Sequence, residues 1–244
     1  MIETIKTLFW ASRPISWINT AYPFAVAYFL TTGSIDVTLV VGALFFLIPY
    51  NLLMYGINDV FDYESDLRNP RKGGIEGSLL DPKYHRLTVV SAVVSSVPFV
   101  LYLTFVGTSE STGWLYFFLF TVIAYSARGL RFKEKPFLDS LTSASHFVGP
   151  AVFGLSLAGA NLADPALLPY FGALTLWGVA SHAFGAVQDV RADREGGIAS
   201  IATVIGARNT VRFAFVSYLV AAGLVALAGM PNLLWAAVPY LVIV

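Results

Sequence analysis

Apolar runs recur along the chain at 14–33, 37–57, 87–107, 111–127, 140–162, 166–187 and 213–230, and an eighth begins at Asn232 and is still apolar at Val244. A helix needs about 20 apolar residues to cross the hydrocarbon of a bilayer, which is the length of these runs. A soluble helix buries one stripe and shows water the other, but these runs carry no polar stripe. The pattern predicts a polytopic membrane protein with seven complete spans and a partial eighth, as one membrane domain over 1–244. Ahead of the first span, "MIETIKTLFWASRPISW" has Arg13 among its apolar residues and no small-residue cleavage site. It reads as a short interfacial helix rather than a signal peptide.

Composition agrees with that pattern, and charge orients it. The chain is 57% hydrophobic and 12% charged, with no net charge and no cysteine, so disulfides and thiolate metal sites are excluded. No nucleic acid is expected as a partner. The connections after the first, third, fifth and seventh spans ("GSID", "TSEST", "NLADP", "MPN") contain no Lys or Arg. Those after the second, fourth and sixth carry five, four and four basic residues, and Lys6 and Arg13 precede the first span. By the positive-inside rule the basic side is cytoplasmic, which places the protein in the cell membrane with its N-terminus and basic loops in the cytoplasm.

The acidic residues gather on that same side, in two clusters. The first lies in "YGINDVFDYESDLRNPRKGG" at the end of the second span. Continued as a helix, it places Asn58, Asp62, Asp66 and Asp59 at about 0°, 40°, 80° and 100° around the axis, while Glu64, near 240°, points elsewhere. Like charges on one helix face repel unless a cation sits among them. Oxygen ligands without His or Cys suit a hard ion, Mg²⁺ or Ca²⁺. An EF-hand does not fit, because Leu67 stands where its glycine and Gly73 where its closing glutamate should be. The second cluster, Asp189 and Asp193 in "SHAFGAVQDVRADREGG", closes the sixth span with i, i+4 spacing, which puts both on one helix side. The likeness of "YGINDV" to "FGAVQDV" suggests a half-repeat of about 1–130 and 131–244, which would bring the two acidic faces together.

Two facing carboxylate clusters with cations nearby let Mg²⁺ bridge protein to a diphosphate and neutralise the charge that builds on a departing pyrophosphate. The cations available are Arg68, Arg71 and Lys72 after the first cluster, Arg128, Arg131, Lys133 and Lys135 between the fourth and fifth spans, and Arg191 and Arg194 after the second cluster. Apolar surroundings suit an allylic carbocation, which water would destroy.

Asn58, Asp59, Asp62 and Asp66 reproduce "NDxxDxxxD", and Asp189 with Asp193 resembles "DxxxD", the two motifs of the UbiA superfamily of intramembrane prenyltransferases. The resemblance implies an all-α transmembrane bundle. It also implies Mg²⁺, two ions in the expected site, at Asn58, Asp62, Asp66, Asp189 and Asp193, with Asp59 grouped among them, and a prenyl diphosphate between the motifs. A narrower resemblance covers nearly the whole chain. "SRPISWINTAYPF", "LIPYNLLMYGINDVFDYESDLRNPRKGGIEG", "LRFKEKPFLDSLTSASHF" and "GAVQDVRADREGGIASIATVIGAR" are similar to the actinobacterial lycopene elongases, which add a five-carbon unit to the end of a carotene. That implies dimethylallyl diphosphate as donor and lycopene as acceptor. The chain departs from the superfamily in two ways. Tyr125 is followed by Gly129 where many members have the lysine of "YxxxK", leaving that role to Arg128, Arg131 or Lys133. The superfamily also has nine spans, so C-terminal spans are expected beyond this sequence.

Inside the spans, His146 and His182 are candidates for orienting an acceptor or assisting deprotonation, and Asn19, Tyr22 and Tyr125 for lining a substrate cavity. The competing reading of each is packing or an interhelical hydrogen bond. A cation transporter would hold its acids near the bilayer midplane, whereas these lie at span ends. A prenyltransferase for quinones or another lipid acceptor shares the motifs, and only its acceptor would differ.

Overall fold

The computed structural model describes residues 2–67 and 79–244, and among them every regular element is helical. The chain forms two compact units, Met1–Leu130 with Gly149–Asn161, and Arg131–Val148 with Leu162–Val244. The first contains α1 (Ile2–Ala11), α2 (Trp17–Thr32), α3 (Val37–Leu47), α4 (Pro49–Asn51), a π-turn (Leu52–Gly56), α5 (Ile57–Phe61), α6 (Tyr63–Asp66), α7 (His85–Val106) and α8 (Ser109–Ser126). Then come α9 (Leu138–Leu157), which contributes to both units, α10 (Leu168–Gly196), α11 (Ile201–Ile205), α12 (Ala207–Leu227) and α13 (Leu234–Ile243). Among the described residues three stretches, Val37–Phe61, Pro82–Val106 and Ala207–Leu227, are long and apolar enough to cross a membrane by length and composition.

The first unit closes on aromatic side chains. Phe24, Phe45, Phe46, Tyr50 and Phe153 are fully buried, and the Phe24 ring lies 5.1 Å from Phe46 and 5.9 Å from Phe153 between centroids. Glycine makes room for it: a Cβ on Gly42 would stand 2.1 Å from Phe24 Cζ. Small residues at helix contacts let backbones approach where the bilayer supplies no hydrophobic drive between helices. The second unit uses the same device, since a Cβ on Gly178 of α10 would meet Ala144 of α9 at 2.9 Å. Its core is small, with Ala180, Ala183, Ile201, Ala202 and Ala214 fully buried.

The stretch that delivers the first acidic cluster is irregular, and Pro49 starts the irregularity by removing a donor from the ladder. The Asn51 side-chain amide donates instead to the carbonyls of Phe46 (2.8 Å) and Leu47 (3.1 Å) and to Thr20 Oγ1 (2.7 Å). Thr20 in turn donates to Phe46 O at 2.6 Å. Away from water each such group needs an internal partner, which explains two fully buried polar side chains in an aromatic core. The π-turn that follows rephases the helix before Asn58.

Candidate active site

The first acidic cluster occupies α5 and α6. At Asp62 the backbone leaves helical values (φ −102°, ψ 0°), yet the ladder continues, with Asp62 N–H donating to Asn58 O and Asp66 N–H to Asp62 O. Asn58 Nδ2 donates to Asp62 Oδ2 at 2.7 Å and to Ser126 Oγ, at the end of α8, at 3.0 Å. Asp62 and Asp66 are only 4% and 7% exposed, whereas Glu64 is exposed. The i, i+4 geometry expected of Asn58 and Asp62 is therefore present.

Asp59 turns to another partner. Its Oδ1 accepts from Arg13 Nη2 at 2.9 Å, and the Arg13 guanidinium lies 4.3 Å from the centre of the Tyr55 ring. Arg13 reaches this position from a left-handed backbone (φ 48°) just ahead of Pro14, a conformation that costs a non-glycine residue about 1–2 kcal/mol. A buried ion pair and a cation over an aromatic face offset that strain. On the sequence Arg13 reads only as a topology marker. Its place before a proline, where the backbone is restricted, was the available signal.

The second cluster belongs to the other unit. Here α10 runs unbroken past the expected span end and carries both Asp189 and Asp193 on regular helix, stopping at Gly197 in a left-handed cap (φ 68°). The chain then folds back so that Ser200, the N-cap of α11, donates its hydroxyl to Asp193 Oδ2 at 2.9 Å. Burial pushes the Asp193 carboxyl above the ordinary carboxylate range, against the pull of the Ser200 hydrogen bond. The charge of Asp189 adds to the push and that of Lys133 opposes it.

The remaining candidates fall as follows. Arg68, Arg71 and Lys72 lie outside the described residues. Arg128 is exposed, and Arg131, left-handed at φ 40°, pairs with Glu134, whose carboxyl this hydrogen bond holds below its usual range. Lys133 acts on Asp193 through its charge. Arg191 is turned to Glu195 on an exposed face. Tyr125 is half-buried and Gly129 takes φ 90°. Asn19 and Tyr22 are exposed on α2, whose buried face is Thr20, Ala21, Phe24 and Tyr28. His146 is buried, and His182 Nδ1 lies 3.1 Å from Ser140 Oγ. Ser126, Asp139, Ser140 and Ser200 went unnoticed in the sequence, because a serine or a lone aspartate in a helical run carries no spacing signature.

Among the described residues no three His, Cys, Asp or Glu side chains gather as a ready-made metal cage. Oxygen-only sets built on one or two carboxylates are nonetheless what Mg²⁺ uses when water and substrate phosphate complete its shell. Asn58, Asp62 and Asp66 present amide and carboxylate oxygens at the end of one helix, with both carboxylates nearly buried. The residues fit a hard divalent ion that arrives with an anion.

Residues 20–244 match the UbiA prenyltransferase family. The chain is 59% identical over 241 residues to the C(50) beta-cyclic carotenoids biosynthesis protein LbtBC of Dietzia sp. (strain CQ4), covering 97% of this chain and 55% of that protein, so it spans little more than half of that relative. It is 52% identical over 235 residues to the lycopene elongase/hydratase of Corynebacterium glutamicum, covering 96% of this chain and 81% of that one. Two structures of a UbiA homologue from Archaeoglobus fulgidus, one bound to GPP and Mg²⁺ and the other to DMAPP and Mg²⁺, superpose with a TM-score of 0.77. They share 18% identity with this chain and cover 97% of it and 86% of their own.

Proposed function

Because this chain belongs to the UbiA prenyltransferase family, we propose that it is a multi-pass membrane enzyme that moves a dimethylallyl group from its diphosphate to the end of lycopene, giving C45 and then C50 carotenoids. The observation that carries this reading is the burial of Asp62 and Asp66 at the end of an apolar helix, with Asn58 hydrogen-bonded to Asp62, which gathers oxygen ligands suited to a hard cation. The relatives named for lycopene elongation and the homologue that binds DMAPP and Mg²⁺ support the choice of donor and acceptor.

The residues that would hold the metal are Asn58, Asp62 and Asp66 of the first motif and Asp189 and Asp193 of the second, while Asp59 pairs with Arg13. Bound Mg²⁺ would supply charge neutralisation for the leaving diphosphate. Lys133 and Arg131 offer further positive charge, as do Arg68, Arg71 and Lys72. The allylic C–O bond breaks with its electron pair leaving on the diphosphate, and the terminal π pair of lycopene forms the new C–C bond. The resulting tertiary cation then loses a proton to become an alkene, with His182 and His146 as candidate acceptors, or takes up water and releases a proton to become an alcohol. No side-chain nucleophile takes part, so catalysis comes from positioning, electrostatics and exclusion of stray water. The positive-inside asymmetry supports a cytoplasmic position for these groups, where a water-soluble donor would reach them.

One incubation tests the acceptor. Membranes containing the protein, in full-length form where relatives extend further, receive dimethylallyl diphosphate, Mg²⁺, lycopene and 4-hydroxybenzoate, and products are separated by chromatography. C45 and C50 carotenoids with the benzoate unchanged are expected. Prenylated benzoate with lycopene untouched would overturn the acceptor and favour a quinone-type enzyme.

A further inference from the structure

Asp139, the second residue of α9, is fully buried, and both its carboxylate oxygens are hydrogen-bonded, one to the neighbouring Ser140 and the other to a residue 62 positions on. Oδ1 accepts from the Ser140 backbone N–H at 2.6 Å and from Ser140 Oγ at 3.1 Å. Oδ2 accepts from the backbone N–H of Ile201 at 2.8 Å. Ile201 follows Ser200, whose hydroxyl donates to Asp193 Oδ2, and Ser140 Oγ lies against His182 Nδ1. A single buried carboxylate thus fastens the start of α9, the middle of α10 and the turn that folds back onto the acidic end of α10.

The cap of α11 does not demand this charge. Ser200 and Thr203 already form a reciprocal capping box there. Burying a carboxylate is expensive unless each oxygen is hydrogen-bonded, and an apolar residue would fill the space at lower cost. What the charge adds is direction. A carboxylate only accepts, so the single hydroxyl proton of Ser140 goes to Asp139, and the Ser140 oxygen is left to accept from the ring. That contact points to Nδ1 as the nitrogen of His182 that carries a proton. His182, Asp189 and Asp193 also share one stripe of α10, since steps of seven and four residues return to within about 40° of the same direction and span about 16 Å.

We propose that Asp139 is a positioning residue for the second carboxylate motif, orienting Asp193 through Ile201 and Ser200 and setting the tautomer of His182 through Ser140. The proposal rests on the reading of Asp189 and Asp193 as metal ligands. Partners that orient a ligating carboxylate typically contribute about 10–100-fold to metal affinity.

The test uses Mn²⁺ with inorganic pyrophosphate in detergent, bound metal being counted by electron paramagnetic resonance, and melting temperature as the check on folding. Asp139→Asn and Ser200→Ala should each weaken Mn²⁺ binding by about 10–100-fold while Ser200→Thr, which keeps the hydroxyl, restores it. Nitrogen-15 spectra should show His182, identified by the signal lost in His182→Gln, protonated at Nδ1 in the parent and as a mixture of tautomers in Asp139→Asn and Ser140→Ala. If Asp139→Asn does not fold, Ser200→Ala and Ser140→Ala carry the test. Unchanged Mn²⁺ affinity and an unchanged His182 tautomer in the folded variants would overturn the proposal and leave the metal reading intact. A parent protein that binds no Mn²⁺ would overturn both.

Discussion

At the scale of single residues, the ion pair between Arg13 and Asp59 ties the N-terminal arm to the first motif, and its cost of removal is measurable. With side chains 16% and 0% exposed, losing either partner breaks a buried ionic contact. Arg13→Met should destabilise the protein by about 3–5 kcal/mol, the range for breaking a buried pair. A double variant with Asp59→Leu should recover part of that loss, so a double-mutant cycle of thermal or denaturant unfolding checks the coupling. Asp193 makes the opposite case. Its carboxyl is raised by burial, and a raised acid contributes stability that is present below its unfolded pKa and lost as pH rises through the folded one. Without metal, Asp193→Asn should therefore melt higher than the parent near pH 7.5, and the gap should narrow as the pH falls toward the ordinary carboxylate range. The same variant should lose metal-dependent turnover, as should Asp62→Asn with its fold retained. Near-normal turnover in both at saturating Mg²⁺ would remove them from the metal site.

At the scale of elements, the polar residues of the aromatic core support a broken helix. Asn51 and Thr20 serve carbonyls around Pro49, so Asn51→Leu would remove the side-chain donor to the Leu47 carbonyl and leave the Phe46 carbonyl with Thr20 as its side-chain donor. The expected cost is about 1–3 kcal/mol, read as a lower unfolding midpoint, the range for one buried polar group that loses its partner. Gly178 has a packing role that its place in an apolar run conceals. Gly178→Val would drive a branched side chain into the Ala144 backbone and should cost about 1–3 kcal/mol or more. Helix positions were legible, since the helices of 168–196 and 207–227 overlap the sixth and seventh apolar runs. Their ends were not. Hydropathy falls at Asp189, but the ladder of α10 continues to Gly196, because a helix stops where its backbone is capped and not where its side chains become polar.

At the scale of the whole molecule, orientation in the bilayer is open to direct measurement. The chain contains no cysteine, so Lys83→Cys and Ser109→Cys each introduce a single label site, both at exposed positions. An impermeant thiol reagent added to intact cells should label position 109 and spare position 83; labelling of 83 instead would reverse the topology. Membrane character, helical class and the two carboxylate motifs were all readable from the chain alone. Each depends on a local regularity: apolar length against bilayer thickness, charge against the positive-inside rule, acidic spacing against the 3.6-residue turn. Only the folded structure shows that Asp59 serves Arg13 while Asn58 and Asp62 meet Ser126, that Asp193 is held by Ser200, and that Asp139 joins residues 62 positions apart. Helical periodicity places side chains on a face of their own helix, but which donor meets a given carboxylate depends on contacts between distant segments, and no spacing along the chain records those.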